Sequence, residues 1–277
     1  MDHRQDIEKL LATNRDLSEL VIAPNAPPVS RTIAGCKLAM NVVFSPADVK
    51  QVLQRLHRAA FPANAPERGA SGSFCLGIQD VGRFRVTYMT QRGSQVLRIV
   101  RVPLDIPALD SVCEDADLAA QLTALVSSFE PGVILFHGPS SAANSMFIYA
   151  LLDEVNKSQR GIIYIMERAL SYLMSHHECI AVQTELITDV QTMEQGIANA
   201  FLFDPDIAYI GDLHATDEVP SFGVLLDAPV LTLVSSHNSG HQLRDRVAGV
   251  LGDEQSRIKA EVSITPVEAG KVRIKLA

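Results

Sequence analysis

The sequence predicts an α/β chain in two parts, an antiparallel α+β half followed by a half built on a parallel sheet. Three observations carry that prediction. Strand-like runs with turn glycines crowd the first hundred residues. Short continuous apolar runs alternate with helical patterns after residue 130, and a stretch rich in proline and acids separates the halves. Strands alternating with helices require parallel pairing, with helices on both faces of the sheet. The expected organisation is a first domain at 1–101, a linker at 102–117 (VPLDIPALDSVCEDAD, with Pro103 and Pro107) and a second domain at 118–277.

In the first half, Ile7, Leu10 and Leu11 keep helical spacing. Residues 16–23 read as a strand, ended by the proline-rich stretch 24–28, which no central strand tolerates. Ser45, Pro46 and Asp48 mark a helix start. Serine accepts from the third amide, the acid reaches back, and proline suits the first helical position. The helix that follows buries Val49, Val52, Leu53 and Leu56. Residues 61–73 carry two prolines and two glycines and read as a loop. Strands follow at 73–78, 83–90 and 95–102, with Gly93 in the last turn. This α+β meander looks like a small PAS-like sensor or clamp domain.

In the second half, 133–136 is a continuous apolar run, as expected of a strand buried on both faces. A Gly-Pro-Ser-Ser loop and a helical segment at 145–155 follow it. Further buried strands are expected at 161–165, 207–210 and 230–234, with helices at 190–202 and 243–251. The alternating runs 261–265 and 271–276, around Pro266 and Gly270, read as a terminal hairpin.

Composition narrows the function classes. Hydrophobic residues are 47% and charged residues 20% of 277, a globular balance that excludes disorder. With 24 Lys and Arg against 32 Asp and Glu, the net charge of -8 argues against a general nucleic-acid binder, which needs a basic face. No stretch approaches the roughly 18 apolar residues of a membrane span, and the first sixteen residues lack the apolar core of a secretory signal. A cytoplasmic location is expected. Cys36, Cys75, Cys113 and Cys179 form no CxxC pair, which argues against zinc and for reduced thiols. His176, His177 and Glu178 lack the spacing of an HExxH metal helix.

The segment Gly138, Pro139, Ser140, Ser141, Ala142, Ala143, Asn144 and Ser145 sits after a buried strand and opens a helix, the position of a phosphate-binding P-loop. In the pattern GxxxxGK[ST], Gly138 fits the first glycine and Ser145 the hydroxyl. Ala143 replaces the second glycine and Asn144 the lysine. Lysine supplies the charge that offsets phosphoryl transfer, and asparagine has neither its reach nor its charge. Taken alone, the segment reads equally as an ordinary strand–turn–helix junction.

From about residue 16 to about residue 257, the chain resembles the type II/type IV secretion ATPase family, within it the type IV pilus retraction ATPases. DLSELVIAPNAPPVSRTIAG (Asp16, Pro28, Arg31, Gly35) matches the family's first-domain segment. GRFRVTYMTQRGSQVLRIVRVPLDIP matches its GRFRVN…RG…R.IP segment, with Arg83, Arg85, Arg92, Gly93, Arg101 and Pro103. GVILFHGPSSAANSM stands at GVILVTGPTGSGKST, and Val155-Asn156 matches the end of the next helix. The acidic box ITIEDPIE corresponds to IYIMERAL, which keeps Glu167; QRE appears as Gln183-Thr184-Glu185. DPDxIxVGExRD appears as DPDIAYIGDLHA, with Asp212, His214 and Ala215. The histidine box keeps its second histidine as His237, with Val230 at the first.

The resemblance implies a RecA-like P-loop NTPase domain behind the PAS-like one, with ATP or ADP and Mg²⁺ as ligands. It implies roles for Glu167, Asp212 and His237 in catalysis, for Ser145 and Asp212 at the metal, and for Arg83, Arg85, Arg92 and Arg101 as arginine-finger candidates. Each has a plainer reading: an N-cap serine, solvated acids, a structural histidine and strand-surface charge. It also implies a homo- or hetero-hexamer with paralogous pilus or secretion ATPases, at an inner-membrane platform protein. Residues that hold the fold persist while residues that do chemistry are replaced, so the expectation is a pseudo-ATPase in a structural or regulatory role. The alternatives are a weak but active retraction motor and a nucleotide-independent interaction module.

Overall fold

A computed structural model describes residues 7, 9–11, 19–32, 35–60, 71–103, 105–186, 188–211, 213, 223, 225, 228–237 and 240–277. The chain divides into two compact units, 1–104 and 105–277.

Unit 1 is an antiparallel sheet with a helix on one face. Its strands are β1 (Glu19–Ile22), β2 (Val29–Thr32), β3 (Gly35–Leu38), β4 (Ser71–Ile78), β5 (Gly82–Gln91) and β6 (Ser94–Val102), in the order β3-β2-β1-β6-β5-β4. The sequence did not suggest β2 and β3, because Val29–Thr32 and Gly35–Leu38 are four residues each, too short to display alternation. The expected loop at 61–73 is shorter at its end, since β4 starts at Ser71; residues 61–70 lie outside the described residues. The Arg92-Gly93 turn has φ of 50° and 75°. Two positive φ values give the mirror-image turn whose twist suits a tight hairpin. Helix α1 (Pro46–Ala60) starts as expected: the Asp48 amide donates to Ser45 Oγ at 3.2 Å, and the Ser45 amide donates to Asp48 Oδ2 at 2.8 Å. It buries Val49, Val52, Leu53 and Leu56 with Phe84, Val86 and Leu97 of the sheet. On the strands, Arg98 grips Glu19 through two hydrogen bonds of 2.9 and 3.0 Å. That guanidinium holds the Glu19 carboxyl below its ordinary range.

Unit 2 is a seven-stranded sheet with helices on both faces. Its strands are β7 (Gly132–His137), β8 (Ile162–Glu167), β9 (Ile180–Glu185), β10 (Ile207–Ile210), β11 (Leu231–Ser236), β12 (Ile258–Pro266) and β13 (Val272–Leu276). The order is β13-β12-β7-β11-β10-β8-β9, parallel except for β13, which runs antiparallel to β12. The terminal hairpin therefore extends the sheet, with β12 seated beside β7. The helices are α2 (Leu109–Val112), α3 (Ala116–Ser127), α4 (Ser141–Ser158), α5 (Met193–Phe203) and α6 (Gly240–Leu251). Residues of α2, α3 and α4 bury one face of the sheet, and those of α5 and α6 the other.

Two expectations need correction here. The stretch 102–117 is no bare linker: it holds the last residue of β6, then α2, then the start of α3, capped by Asp115 accepting from the Leu118 amide at 3.0 Å. Strand β9 was not expected as a strand, since IAVQTE is polar at its end. It forms the sheet edge, and side chains blunt it. The Ala181 amide donates to His176 Nδ1 at 3.1 Å and the Glu185 amide to Asp189 Oδ2 at 2.8 Å, which protects an edge from stray strand pairing. Among the described residues, no helix is long and apolar enough to cross a membrane.

Candidate functional site

In a parallel α/β sheet, ligands bind at the carboxyl ends of the strands. The Gly138-to-Ser145 segment stands at that end of β7. Gly138, Pro139 and Ser140 connect the strand to α4, which begins at Ser141. Ser140 is extended (φ -130°, ψ 111°) and caps the helix, its Oγ accepting from the Ala143 amide at 3.3 Å. The Asn144 amide donates to Ser140 O at 3.0 Å. Residues 141–145 thus wind into the first helical turn. Alanine at 142 and 143 favours this, being the best helix former behind a serine cap. Glycine at 143 would have favoured an open loop.

Gly138 is fixed by packing. A Cβ there would lie 2.1 Å from Ile264 O on β12, so any side chain would push the two strands apart. Asn144 is buried, 2% exposed. Its Nδ2 donates to Ser236 O at 3.2 Å and, at the outer limit, to Gly138 O at 3.5 Å. Its Oδ1 is buried without a partner. The side chain that stands at the lysine position therefore staples the ends of β7 and β11 together.

A triphosphate needs free backbone amides and a cation. Here the Ala143 and Asn144 amides are spent in the helix, and the residue at the lysine position is a neutral, buried amide. Two basic side chains near the loop serve Glu261 instead: His137 Nε2 lies 3.3 Å from Glu261 Oε1, and the Arg244 guanidinium 3.0 Å from Oε2. The residues present do not fit ATP or ADP in this arrangement. For the metal, Ser145 Oγ donates to Glu167 Oε1 at 3.4 Å, and Asp212 lies outside the described residues. Among the described residues, no group of three His, Cys, Asp or Glu could hold an ion.

Glu167 ends β8 and is 3% exposed. Its carboxylate accepts from Ser145 Oγ, from Tyr149 OH at 2.8 Å, from the Ser171 amide at 2.7 Å and from Ser171 Oγ at 3.2 Å. A carboxylate offers about four lone-pair sites, so four donors leave none to orient a water. Glu167 is the hub that ties α4 to the turn after β8. A Cβ on Gly211, just after β10, would fall 2.5 Å from Glu167 Cγ, so only glycine lets the backbone pass this close to the carboxylate stem. Burial, and then the Glu167 charge, push the Tyr149 phenol well above its ordinary value. Tyr149 therefore stays a donor. Gln183 extends the network, donating to Tyr149 OH at 3.3 Å and to Tyr172 O at 2.9 Å.

Sequence reading missed Tyr149 and Ser171. The available signal was spacing: Tyr149 lies four residues after Ser145, so both rise from one face of α4. His237 follows β11 and is exposed. The four arginines all belong to unit 1. Arg83 and Arg85 alternate with the buried Phe84 and Val86 on β5, and Arg92 is in the hairpin turn. Arg101 is an anchor within unit 1. It lies 4.7 Å over the Phe84 ring and donates to Val81 O at 2.8 Å and to Leu11 O at 2.5 Å.

No protein-family model matches the chain. It is 24% identical over 249 residues to the type IV pilus ATPase PilU of Pseudomonas aeruginosa, covering 87% of this chain and 63% of PilU. It is 23% identical over 265 residues to the type IV pilus retraction ATPase PilT of the same organism, covering 93% and 74%. The chain thus spans less than two thirds of the length of PilU. Among solved structures, the pilus retraction motor PilT with bound ADP superposes with a TM-score of 0.76 at 20% identity, covering 99% of this chain and 82% of that one. The Legionella pneumophila ATPase DotB gives 0.77 at 12% identity, covering 99% and 80%.

Proposed function

We propose that the chain, similar to the type IV pilus ATPases PilU and PilT, is a catalytically impaired subunit of the type II/type IV secretion ATPase family, serving a pilus or secretion machine in a structural or regulatory role. In this reading unit 1 is the PAS-like domain, supported by an antiparallel order in which β1 lies between β2 and the last strand. Unit 2 is a RecA-like domain that has kept its sheet and given up its chemistry. The chain works beside paralogous ATPases in a hexameric ring, on the cytoplasmic side of an inner-membrane platform protein.

The observation that carries the proposal is Asn144. At the position of the phosphate-binding lysine stands a buried neutral amide, bonded to Ser236 O across the end of the sheet. Losing a cation and its companion donors at a phosphoryl-transfer centre costs several orders of magnitude in rate. A readout of ATP hydrolysis tests this directly. The purified chain is expected to show no turnover above background, and neither MgATP nor MgADP is expected to raise its melting temperature. A ligand at 100 times its Kd would add about 2.7 kcal/mol. Turnover above background that a non-hydrolysable ATP analogue inhibits would instead establish a weak motor.

A further inference from the structure

One corner of unit 2 exposes more apolar surface than a closed fold needs. Of the eight large hydrophobic residues exposed among the described ones, three lie towards it, Leu202 at 83%, Ile180 at 52% and Phe203 at 50%, while Phe201 leaves the helix about 200° away from Phe203. The fold places the three together. Ile180 opens the edge strand β9 and pairs with Ile162 of β8. Ile162 and Tyr164 share one face of the sheet by strand alternation. Tyr164 OH donates to Gly196 O of α5 at 2.8 Å, and its ring lies 6.5 Å from that of Phe203. The last turn of α5 therefore overhangs the start of β8 and β9, at the end of the sheet opposite the loop at Gly138.

We propose that this corner docks a basic amphipathic helix of a partner protein. Apolar residues clustered in the open mark an interaction surface. The occupant's charge follows from the rim. Asp204 and Asp206 follow α5 directly, and the carbonyl end of that helix adds negative potential. Residues 105–277 carry 10 Lys and Arg against 24 Asp and Glu. A long-range field of that sign attracts a cationic partner and repels nucleic acid and anionic lipid. The occupant's backbone follows from the edge. With the outward amides at both ends of β9, those of Ala181 and Glu185, taken by His176 and Asp189, an added strand would find only the Gln183 position between them. A helix laying its apolar face on the patch needs none of those amides. The inference supplies a partner class for the scaffolding role proposed above and rests on that role only for its purpose. The binding surface stands on geometry that ATP hydrolysis does not touch.

Two labelled peptides of about 18 residues, long enough to hold a helix, test it. They share a leucine face and carry lysine or glutamate on the other. Fluorescence anisotropy with the full chain is expected to show binding of the lysine peptide, at least about tenfold tighter than the glutamate peptide. The Leu202→Ser/Phe203→Ser variant leaves every charge in place and is expected to weaken the lysine peptide by at least about tenfold, as loss of central apolar anchors does. Leu202→Ser alone, at the most exposed site, repeats the loss in smaller measure without disturbing Tyr164. Equal binding to variant and parent reduces the attraction to charge and overturns the proposal. Equal binding of both peptides overturns the basic occupant. A parent chain that self-associates in sedimentation, beside a monomeric variant, makes the occupant a second copy and also overturns it. Hydrolysis measured in the same preparations judges the pseudo-ATPase reading separately.

Discussion

Asn144 can be dissected by two substitutions whose order is diagnostic. Its Nδ2 satisfies Ser236 O at 3.2 Å, while its Oδ1 is buried without a partner. Asn144→Asp keeps the shape and removes the donor. The lost hydrogen bond is worth about 1 kcal/mol, and the stranded Ser236 carbonyl adds about 1–3 kcal/mol. An oxygen now faces carbonyl oxygens, so the expected loss at neutral pH is about 2–4 kcal/mol. Asn144→Ala removes the same donor but also the orphaned Oδ1, whose desolvation cost of about 1–3 kcal/mol is returned. Its expected loss is about 0–2 kcal/mol. Tyrosine emission in a urea titration is the assay. The chain has no Trp, and four of its five Tyr (149, 164, 172 and 209) lie in unit 2, so the signal reports that unit. An alanine variant as unstable as the aspartate one, or less stable, would refute the staple. It would show that the site is governed by cavity size and not by the amide.

Three further outcomes follow from the same network and from unit 1. Tyr149→Phe leaves the buried Glu167 carboxylate one donor short and is expected to cost about 1.5–3 kcal/mol by urea midpoint. Tyr149 also has a folded-state value raised above that of the unfolded chain. Its contribution is therefore complete below about pH 10 and is lost above it; a spectrophotometric titration at 295 nm should show this phenol ionising only as unit 2 unfolds, and a phenol that titrates reversibly near pH 10 would contradict its burial. Glu19, with a folded-state value depressed by Arg98, contributes above its unfolded value and loses that contribution as pH falls. Glu19→Gln is expected to cost about 0.5–1 kcal/mol at pH 7, with a difference from the parent that shrinks as the pH falls through the carboxylate range; a difference independent of pH would assign the effect to packing. Gly138→Ala drives a methyl to within 2.1 Å of Ile264 O and is expected to lower the melting temperature of unit 2 by more than any surface change. A neutral result would mean that β7 and β12 separate freely.

The architecture was legible in the sequence wherever a strand is buried on both faces or a helix carries its own cap. The runs at the centre of β7 (133–136) and in β10 are apolar, β11 opens on a mostly apolar stretch, and Ser45-Pro46-Asp48 states a helix start in three residues. Strands β2, β3 and β9 were not legible, because their pairing is decided by neighbours distant in sequence. Arg31 of β2 faces Glu19 of β1, and Ile180 of β9 faces Ile162 of β8. For the candidate site residues the sequence gives position and not surroundings. The sequence places Asn144 where a lysine belongs but cannot say where its amide points, since Ser236 lies 92 residues away. Glu167 teaches the same lesson with the opposite sign. The resemblance suggests a base there, and the structure shows its carboxylate accepting four hydrogen bonds from α4 and the turn at Ser171. Asn144 and Glu167 both spend their polar atoms on the protein itself. At the carboxyl ends of these strands, side chains already hold one another, and that self-sufficiency is the physical argument behind the impaired-subunit proposal.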